Sequence, residues 1–258
     1  MIVGTMATYP PRQRSMLAAV ARIAPQLDVL NVVLNEYVSV PPELLSFGNV
    51  NAIRPEEDTK DTGKFLPDHR GADWVFLLDD DIVYPENYVT DSIAAMQALG
   101  PGRLVGSYYG AVYRKPQLRN KTLSGLNRYR KELFRRRGQV RDSLKVDAGL
   151  QQAIVVDELG TGVMISRPEY LPDFESVRSA QKFIDVRMAR WCFEKGITQV
   201  CLPRPAGYLG LVEHEETIYT GFTTKRHPAV TREIQEYALR NPLAGQHFQC
   251  GGDSRGNF

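Results

Sequence analysis

Five consecutive apolar residues, Trp74 to Leu78, end directly in three carboxylates, Asp79, Asp80 and Asp81. A short continuous apolar run bounded by polar residues is typical of a strand that is buried on both faces. In open α/β sheets, ligands bind beyond the carboxyl ends of the strands. The run therefore predicts a central strand of an α/β sheet, with a dense negative charge where a ligand site is expected.

The three aspartates need a physical explanation. Adjacent carboxylates repel one another unless a cation lies among them. Asp79 and Asp81 are two residues apart, so in extended backbone they point to one side and could share a metal ion. The alternative is that the acids cap the helix predicted over residues 86–99. A helix cap would be enough to explain a single aspartate, but three aspartates in succession favour a metal site.

The other apolar segments alternate between strand and helix periodicity. After the first strand, Pro11 is well placed at the first turn of a helix in which Met16, Val20 and Ile23 recur at helical spacing. This alternation predicts one α/β domain over residues 1–258, with a mostly parallel mixed sheet flanked by helices. The predicted strands are 2–6, 27–34, 50–53, 74–78, 103–109, 153–156, 163–166 and 197–202, and the predicted helices are 12–24, 86–99, 183–195 and 228–239.

One segment differs in charge from the rest of the chain. Between Arg114 and Lys145 there are twelve Lys and Arg residues and two acidic residues, although the net charge of the whole chain is only +2. Residues 114–147 therefore form a basic excursion from an acidic body, and we expect this excursion to be partly helical. Residues 245–258 have low hydrophobicity and are predicted to be a loose tail.

The composition also limits the cellular setting. No apolar stretch approaches the roughly 18 residues of a transmembrane helix. The N-terminus lacks the basic and apolar regions of a signal peptide. The three cysteines are too few and too irregularly spaced for a disulfide framework or a zinc site. These features predict a cytoplasmic protein without a transmembrane segment.

Several common catalytic motifs are absent. The chain has neither GxGxxG nor GxxxxGK(S/T), and the sequence at His214 begins like a zinc-protease helix but has Ile218 in place of the second histidine. The remaining candidates are the acids after the apolar run, Glu158, Asp185 and His214. Oxygen ligands with one imidazole suit Mn²⁺ or Mg²⁺ better than Zn²⁺. Such ions commonly offset charge on the phosphates of a bound nucleotide.

Five pieces of the chain, taken in order, resemble GT-A fold glycosyltransferases, similar to glycosyltransferase family 2 and its small bacterial and phage relatives. The similarity runs from Val3 to about Tyr219 and implies a Rossmann-like GT-A fold. The matching pieces are Met6 to Arg12, Asp61 to Phe65, Asp79 to Pro85, Gly160 to Gly162, and Asp185 at the start of a helix that ends at Gly196.

The resemblance implies a nucleotide-sugar site. Thr8 and Tyr9 match the turn that cradles the base, with Tyr9 stacked on uracil, and Lys64 matches the basic residue near the base and diphosphate. Asn35 stands where relatives often carry an aspartate that holds the uracil edge, which leaves the choice of UDP open. The alternatives are a simple helix-entry turn for Thr8 and a solvated surface lysine for Lys64.

The resemblance also implies roles for the acids. Asp79 and Asp81 match the DxD motif, in which Asp79 reaches the ribose or the metal and Asp81 ligates the metal. Asp80 is assigned to nucleotide binding, and His214 matches a late histidine that completes the metal site. Asp185 matches the catalytic base of inverting members. Alternatively, Asp185 is an acid that the helix dipole favours in a first turn and has no catalytic role. Alternatively, His214 is a structural or solvated histidine.

Two segments are candidates for contact with the acceptor. The turn Gly160-Thr161-Gly162 matches the family's turn beneath the acceptor and sugar, and its alternative is a tight turn that needs glycine. The basic run Arg135-Arg136-Arg137, with Tyr129 and Phe134 nearby, suits phosphate contacts with aromatic stacking. The alternative for this run is a solvated loop.

Together, the residues and the resemblance predict a metal-dependent, inverting hexosyltransferase that uses a nucleotide-sugar donor, with a UDP-sugar expected. The acceptor is expected to be a polyanion: DNA with a hydroxymethylated base, an anionic cell-surface glycan, or a lipid-linked sugar at an anionic membrane. Two alternatives stay open. One is a sugar nucleotidyltransferase, which would normally show a Gly-rich loop after the first strand. The other is a non-catalytic nucleic-acid-binding module on a GT-A scaffold.

Overall fold

The structure is a computed structural model that describes residues 1–117, 123–133, 140–212 and 227–249. The strands are β1 (Ile2–Thr8), β2 (Val29–Leu34), β3 (Val50–Ile53), β4 (Trp74–Leu78), β5 (Ile82–Val83), β6 (Leu104–Ser107), β7 (Gly110–Arg114), β8 (Val140–Leu144), β9 (Ile154–Val155), β10 (Glu158–Leu159), β11 (Val163–Ser166), β12 (Thr198–Cys201) and β13 (Gly210–Leu211). The α-helices are α1 (Gln13–Ile23), α2 (Tyr88–Ala98), α3 (Leu123–Leu133), α4 (Phe174–Val177), α5 (Ile184–Lys195) and α6 (Pro228–Tyr237).

A central sheet of eight strands has the order β3–β2–β1–β4–β11–β6–β12–β9. The first four strands are parallel, β11 runs antiparallel between β4 and β6, and β12 is again parallel to β6. Helices flank this mixed sheet, so the predicted α/β, Rossmann-like fold class is confirmed.

The central strand β4 is buried along its whole length, as its apolar run predicts. Successive side chains of a strand point to opposite faces of the sheet. Accordingly, Phe76 and Leu78 join the core under α1 and α2, whereas Val75 and Leu77 join the core under α4 and α5. The end of β4, where the aspartates begin, is therefore held between two packed layers.

A second, three-stranded sheet of order β10–β7–β8 was not predicted. β8 lies in the predicted basic excursion and β10 in a segment interpreted as a turn at residues 157–162, whereas β7 begins at Gly110, directly after the predicted strand 103–109. The charged side chains of β8 are typical of a loop, but the structure pairs Arg114 with Asp142 across β7 and β8, and Arg141 with Glu158 on β10. Strand β5, which directly follows the aspartates, pairs with β13 in a two-stranded antiparallel ribbon.

The C-terminal segment begins with residues that pair with the sheet. Within the predicted loose tail, the Gln246 carbonyl oxygen accepts from the amide of Val155 at 2.9 Å, and the amide of Phe248 donates to Ala153 at 2.8 Å. Residues 250–258 lie outside the described residues. Within the four described ranges, no helix combines the length and the apolar character needed to cross a membrane.

Candidate functional site

The aspartate triplet lies at the carboxyl end of β4, beside the turn that precedes β11. The Asp79 amide donates to the Gly162 carbonyl oxygen at 2.9 Å, and the Tyr84 hydroxyl lies 3.0 Å from the carbonyl oxygens of both residues. A Cβ atom on residue 162 would lie 1.8 Å from Oδ2 of Asp79. Glycine is therefore required at position 162 for the Asp79 carboxylate to occupy its place.

Two basic side chains neutralise the triplet. Nη1 of Arg12 lies 2.7 Å from Oδ1 of Asp80 and 2.8 Å from Oδ2 of Asp81. The Lys64 ammonium forms an ion pair with Asp79. Arg12 ends the 3₁₀ turn Pro10–Arg12 after β1, so its guanidinium crosses from a neighbouring parallel strand to the same edge of the sheet. Arg12 stands at the end of the first matching sequence piece, but its sequence context does not indicate this role.

Lys64 is almost completely buried, with 3% of its side chain exposed. Burial alone would lower the pKa of its ammonium, but the negative charges of Asp79, Asp185 and Asp61 raise that pKa above its usual value. The solvated-surface alternative for Lys64 is thus excluded by its position. The lysine instead pairs with Asp79 and lies within the electrostatic influence of Asp185 and Asp61.

Asp185 occupies the first turn of α5, which is favourable for an acid near a helix N-terminus. Its Oδ1 accepts hydrogen bonds from the backbone amide and the hydroxyl of Thr161, each at 2.8 Å. Burial raises the pKa of Asp185 despite these bonds and the nearby Lys64. The Gly160–Gly162 turn therefore contacts Asp185 through its middle residue and Asp79 through its last one, which brings the two predicted acids together.

Burial also raises the pKa of several neighbouring acids. The pKa of Asp81 is raised to about 6, by burial and by the charge of Asp79, against the opposing effect of Arg12. Asp61 also reaches a pKa of about 6 through burial, although the amide of Lys182 donates to it at 2.7 Å. Asp61 belongs to one of the matching sequence pieces but had no role assigned to it, because its nearness to Asp185 depends on the tertiary fold.

The residues predicted to hold the nucleotide base lie at the ends of β1 and β2. Thr8 is buried next to Asp80, and Tyr9 is half-buried with the guanidinium carbon of Arg12 5.9 Å from its ring centroid. The side-chain oxygen of Asn35 accepts from the amide and hydroxyl of Thr59, at 2.8 and 2.7 Å. Asn35 thus fastens the loop before Lys64.

The fit of a metal ion can be judged from the donor set. Within the described ranges, no group of three or more His, Cys, Asp and Glu side chains is arranged to hold a metal ion. Mg²⁺, however, usually takes one or two carboxylates together with substrate phosphates and water, and Mn²⁺ prefers similar oxygen ligands. The side chains of Asp79 and Asp81 are 42% and 20% exposed, so they fit such a shared site.

The remaining predicted site residues lie outside the described part of the chain. They are His214 and the run Arg135-Arg136-Arg137. Glu158, which the sequence left as a further candidate acid, is bound by Arg141 and by the hydroxyls of Tyr113 and Tyr237, each 2.7 Å from its Oε2.

No protein-family model matches this chain, and no curated protein matches it. Among solved structures, a nucleotidyl transferase from Methanothermobacter thermautotroptrophicus is similar at 12% identity and a TM-score of 0.40, over 78% of this chain and 85% of that one. A mycobacterial protein is similar at 13% identity and a TM-score of 0.47, over 91% of this chain and 72% of that one. Similarity at this level identifies neither a family nor an activity.

Proposed function

We propose that this chain is a metal-dependent, inverting glycosyltransferase that moves a sugar from a nucleotide-sugar, with a UDP-sugar expected, to a hydroxyl of an anionic acceptor. The observation that carries the proposal is the group of Asp79, Lys64 and Asp185 at the carboxyl end of β4. This edge is where open α/β sheets bind nucleotides. The group combines a partly exposed carboxylate for the donor side with a second carboxylate of raised pKa for proton transfer.

In this proposal, Asp185 accepts the proton of the acceptor hydroxyl as the hydroxyl oxygen attacks the anomeric carbon and the bond to the nucleoside diphosphate breaks. A raised pKa suits a general base, because proton transfer is most effective when the pKa is near the working pH. Thr161 orients the carboxylate through Oδ1. Inversion follows because the acceptor attacks from the face opposite to the leaving diphosphate.

Thr8 and Tyr9 would contact the nucleoside, which lies beyond the ends of the strands that carry them. Asp79 and Asp81, with His214 as a predicted third ligand, would hold Mn²⁺ or Mg²⁺, and the ion would offset the charge of the departing diphosphate. Arg12 and Lys64 are placed to take over part of that role, because each already balances a carboxylate of the triplet.

The proposal is tested by measuring UDP release from a panel of UDP-sugars in the presence of Mn²⁺. Asp81→Asn should abolish the metal-dependent release, and Asp185→Asn should keep donor binding but lower sugar transfer by about 10²–10⁴-fold. Asp68→Asn is the matched control, because Asp68 is exposed and, among the described residues, bonds within its own turn to Arg70. Wild-type activity in Asp81→Asn would remove the metal assignment, and wild-type transfer in Asp185→Asn would remove the base.

A sugar nucleotidyltransferase is the second candidate, and the ion pair of Arg12 with Asp80 and Asp81 favours it. That pair places a cation in the turn after β1, close to acids suited to a metal-bound triphosphate. The same assay separates the two activities if UTP and a sugar 1-phosphate replace the UDP-sugar. Release of pyrophosphate under those conditions, without UDP release from any UDP-sugar, would favour the second candidate.

A further inference from the structure

Helix α3 exposes apolar side chains to solvent. Leu123 is 83% exposed and Leu126 is 45% exposed. The two leucines are three residues apart, so they are neighbours on one face of the helix. An exposed leucine on its own needs no explanation, but two on adjoining turns of a short helix form a small apolar surface.

The helix is too short to be stable by itself. It has eleven residues, and one of them is Gly125. Isolated helices below roughly 12–15 residues are marginal in water, and glycine in a helix interior lowers their stability further. Of the side chains described on α3, six are exposed and two are half-buried. We therefore expect α3 to be stabilised by contact with another surface.

The charge around α3 indicates what that surface is. Arg128 and Arg130 are exposed on the helix, and the segment from Arg114 to Lys145 has twelve basic residues against two acidic ones. A short helix with leucines and exposed arginines is suited to the boundary between anionic headgroups and acyl chains. Nucleic acid would pair with the arginines but would leave the leucines without a partner, because bases stack on aromatic rings.

A second apolar surface lies beside the aspartate triplet. Val83 on β5 is 37% exposed, and Leu211 and Val212 at the β13 end of the same ribbon are 56% and 36% exposed. The amide of Val212 donates to the carbonyl oxygen of Asp81 at 2.8 Å, so this surface borders the candidate site. Apolar groups at the rim of a charged site suit an acceptor whose reactive hydroxyl is attached to a lipid.

Strands β7 and β8 lie between the segment that contains α3 and the candidate site. At one end of their ladder, Arg114 pairs with Val140, and α3 lies in the segment between these two residues. At the other end, Gly110 pairs with Leu159 of β10, next to the Gly160–Gly162 turn. The ladder therefore runs from the two ends of this segment to the turn of the candidate site.

We propose that α3 is an interfacial helix that attaches this chain to an anionic lipid bilayer, with Leu123 and Leu126 in the acyl boundary and Arg128 on the opposite face among the headgroups. Arg130 lies on the leucine side, and its long side chain can extend its guanidinium to the headgroups. The lipid-linked nature of the acceptor follows only if the proposed glycosyltransferase function holds, whereas membrane attachment does not depend on it.

The test measures co-sedimentation of the full chain with vesicles of phosphatidylcholine alone or mixed with phosphatidylglycerol, without any nucleotide-sugar. The wild-type chain should bind the mixed vesicles, and Leu123→Ser/Leu126→Ser should weaken this binding by about tenfold or more. Arg128→Gln/Arg130→Gln should weaken binding and reduce its salt dependence. Leu45→Ser is the matched control, because Leu45 is 73% exposed in a separate 3₁₀ turn.

Hydrogen exchange on the wild-type chain provides a second measurement that does not depend on folded variants. The amides of α3 should gain protection when anionic vesicles are added. Unchanged vesicle binding by the leucine variant, or binding that ignores phosphatidylglycerol, would overturn the proposal. So would tight, salt-dependent binding to duplex DNA without binding to vesicles, since that result would assign the basic surface to nucleic acid. The vesicle experiments measure no sugar transfer. Absence of vesicle binding therefore contradicts the membrane proposal alone, and absence of UDP release contradicts the proposed function alone.

Discussion

The aspartates after β4 and the carboxylate of Glu158 on β10 are both neutralised by basic side chains, but they differ in what else surrounds them. Glu158 is 2% exposed and is bound by Arg141, Tyr113 and Tyr237. Asp79 and Asp81 keep 42% and 20% of their side chains exposed, and each has one basic partner.

This difference separates a structural carboxylate from a candidate ligand. A buried acid with bonds to both of its oxygens has little capacity left for a substrate, whereas a partly exposed acid with one partner can exchange that partner for a metal ion or a solvated group. Burial occurs in both groups, since Asp80 and Glu158 are both buried, so burial alone does not identify the site.

The largest effect is expected from removal of Glu158. Glu158→Ala leaves the guanidinium of Arg141 largely buried without its carboxylate, and breaking one partner of a buried pair costs about 3–5 kcal/mol of stability. Urea denaturation should show this loss as a lower midpoint with an unchanged slope. Tyr113→Phe, which removes one hydrogen bond to the same carboxylate, should cost about 0.5–1.5 kcal/mol.

Asp68→Ala provides the contrasting control, because Asp68 forms an exposed pair with Arg70, and such solvent-screened pairs contribute little to stability. If Glu158→Ala were as stable as Asp68→Ala, Glu158 would not be a structural carboxylate and would return to the list of candidate ligands.

Much of the central sheet could be predicted from the sequence because its signals are local. The apolar run of β4 and the helical spacing of Met16, Val20 and Ile23 in α1 correspond to buried positions in the structure. Gly196 ends α5 with a φ of 63°, the left-handed conformation that glycine adopts without strain. Each of these features depends on residues within a few positions of one another.

The sheet of β7, β8 and β10 could not be predicted in this way. Arg114, Arg141 and Asp142 look like loop residues in isolation, and they become compatible with strands only through partners across the ladder. The role of Arg12 is hidden for the same reason, since 68 residues separate it from Asp80. The sequence located the acids of the site and Lys64, but the role of Arg12 and the pairing of each cation with its carboxylate depend on tertiary contacts.

The region of Glu158 can also be tested by pH. Asp157 precedes Glu158, is 3% exposed, and has its pKa raised from 3.8 to about 6 by burial. Between these values the folded state binds more protons than the unfolded chain, so the free energy of unfolding decreases as pH rises from about 4 to about 6. Asp157→Asn removes this contribution. The stability of the variant minus that of the wild type should therefore increase by about 1–3 kcal/mol across the same interval.

Asp61 and Asp81 have raised pKa values in the same range, so the comparison has to be made between the variant and the wild type rather than from the wild-type curve alone. Asp173→Asn is a control of opposite sign, because Asp173 caps α4 through the amide of Ser176 and has a lowered pKa. If the stability difference between Asp157→Asn and the wild type stays constant with pH, ionisation of Asp157 does not destabilise the folded state, and the prediction is wrong.

The smallest expected effect tests whether the cations of the triplet are exchangeable. Arg12→Gln removes the positive charge that lies 2.7 and 2.8 Å from Asp80 and Asp81. Because a nearby cation competes with a metal ion for the same carboxylates, Mn²⁺ alone should bind the variant more tightly, by about threefold to tenfold. Titration of free Mn²⁺ by electron paramagnetic resonance, without nucleotide, measures this change directly. Arg14→Gln, an exposed change two residues further along, should leave the affinity as it is in the wild type. If Arg12→Gln binds Mn²⁺ no better than the wild type, Arg12 is as permanent a partner as Arg141, and the triplet would belong with Glu158 among the structural carboxylates.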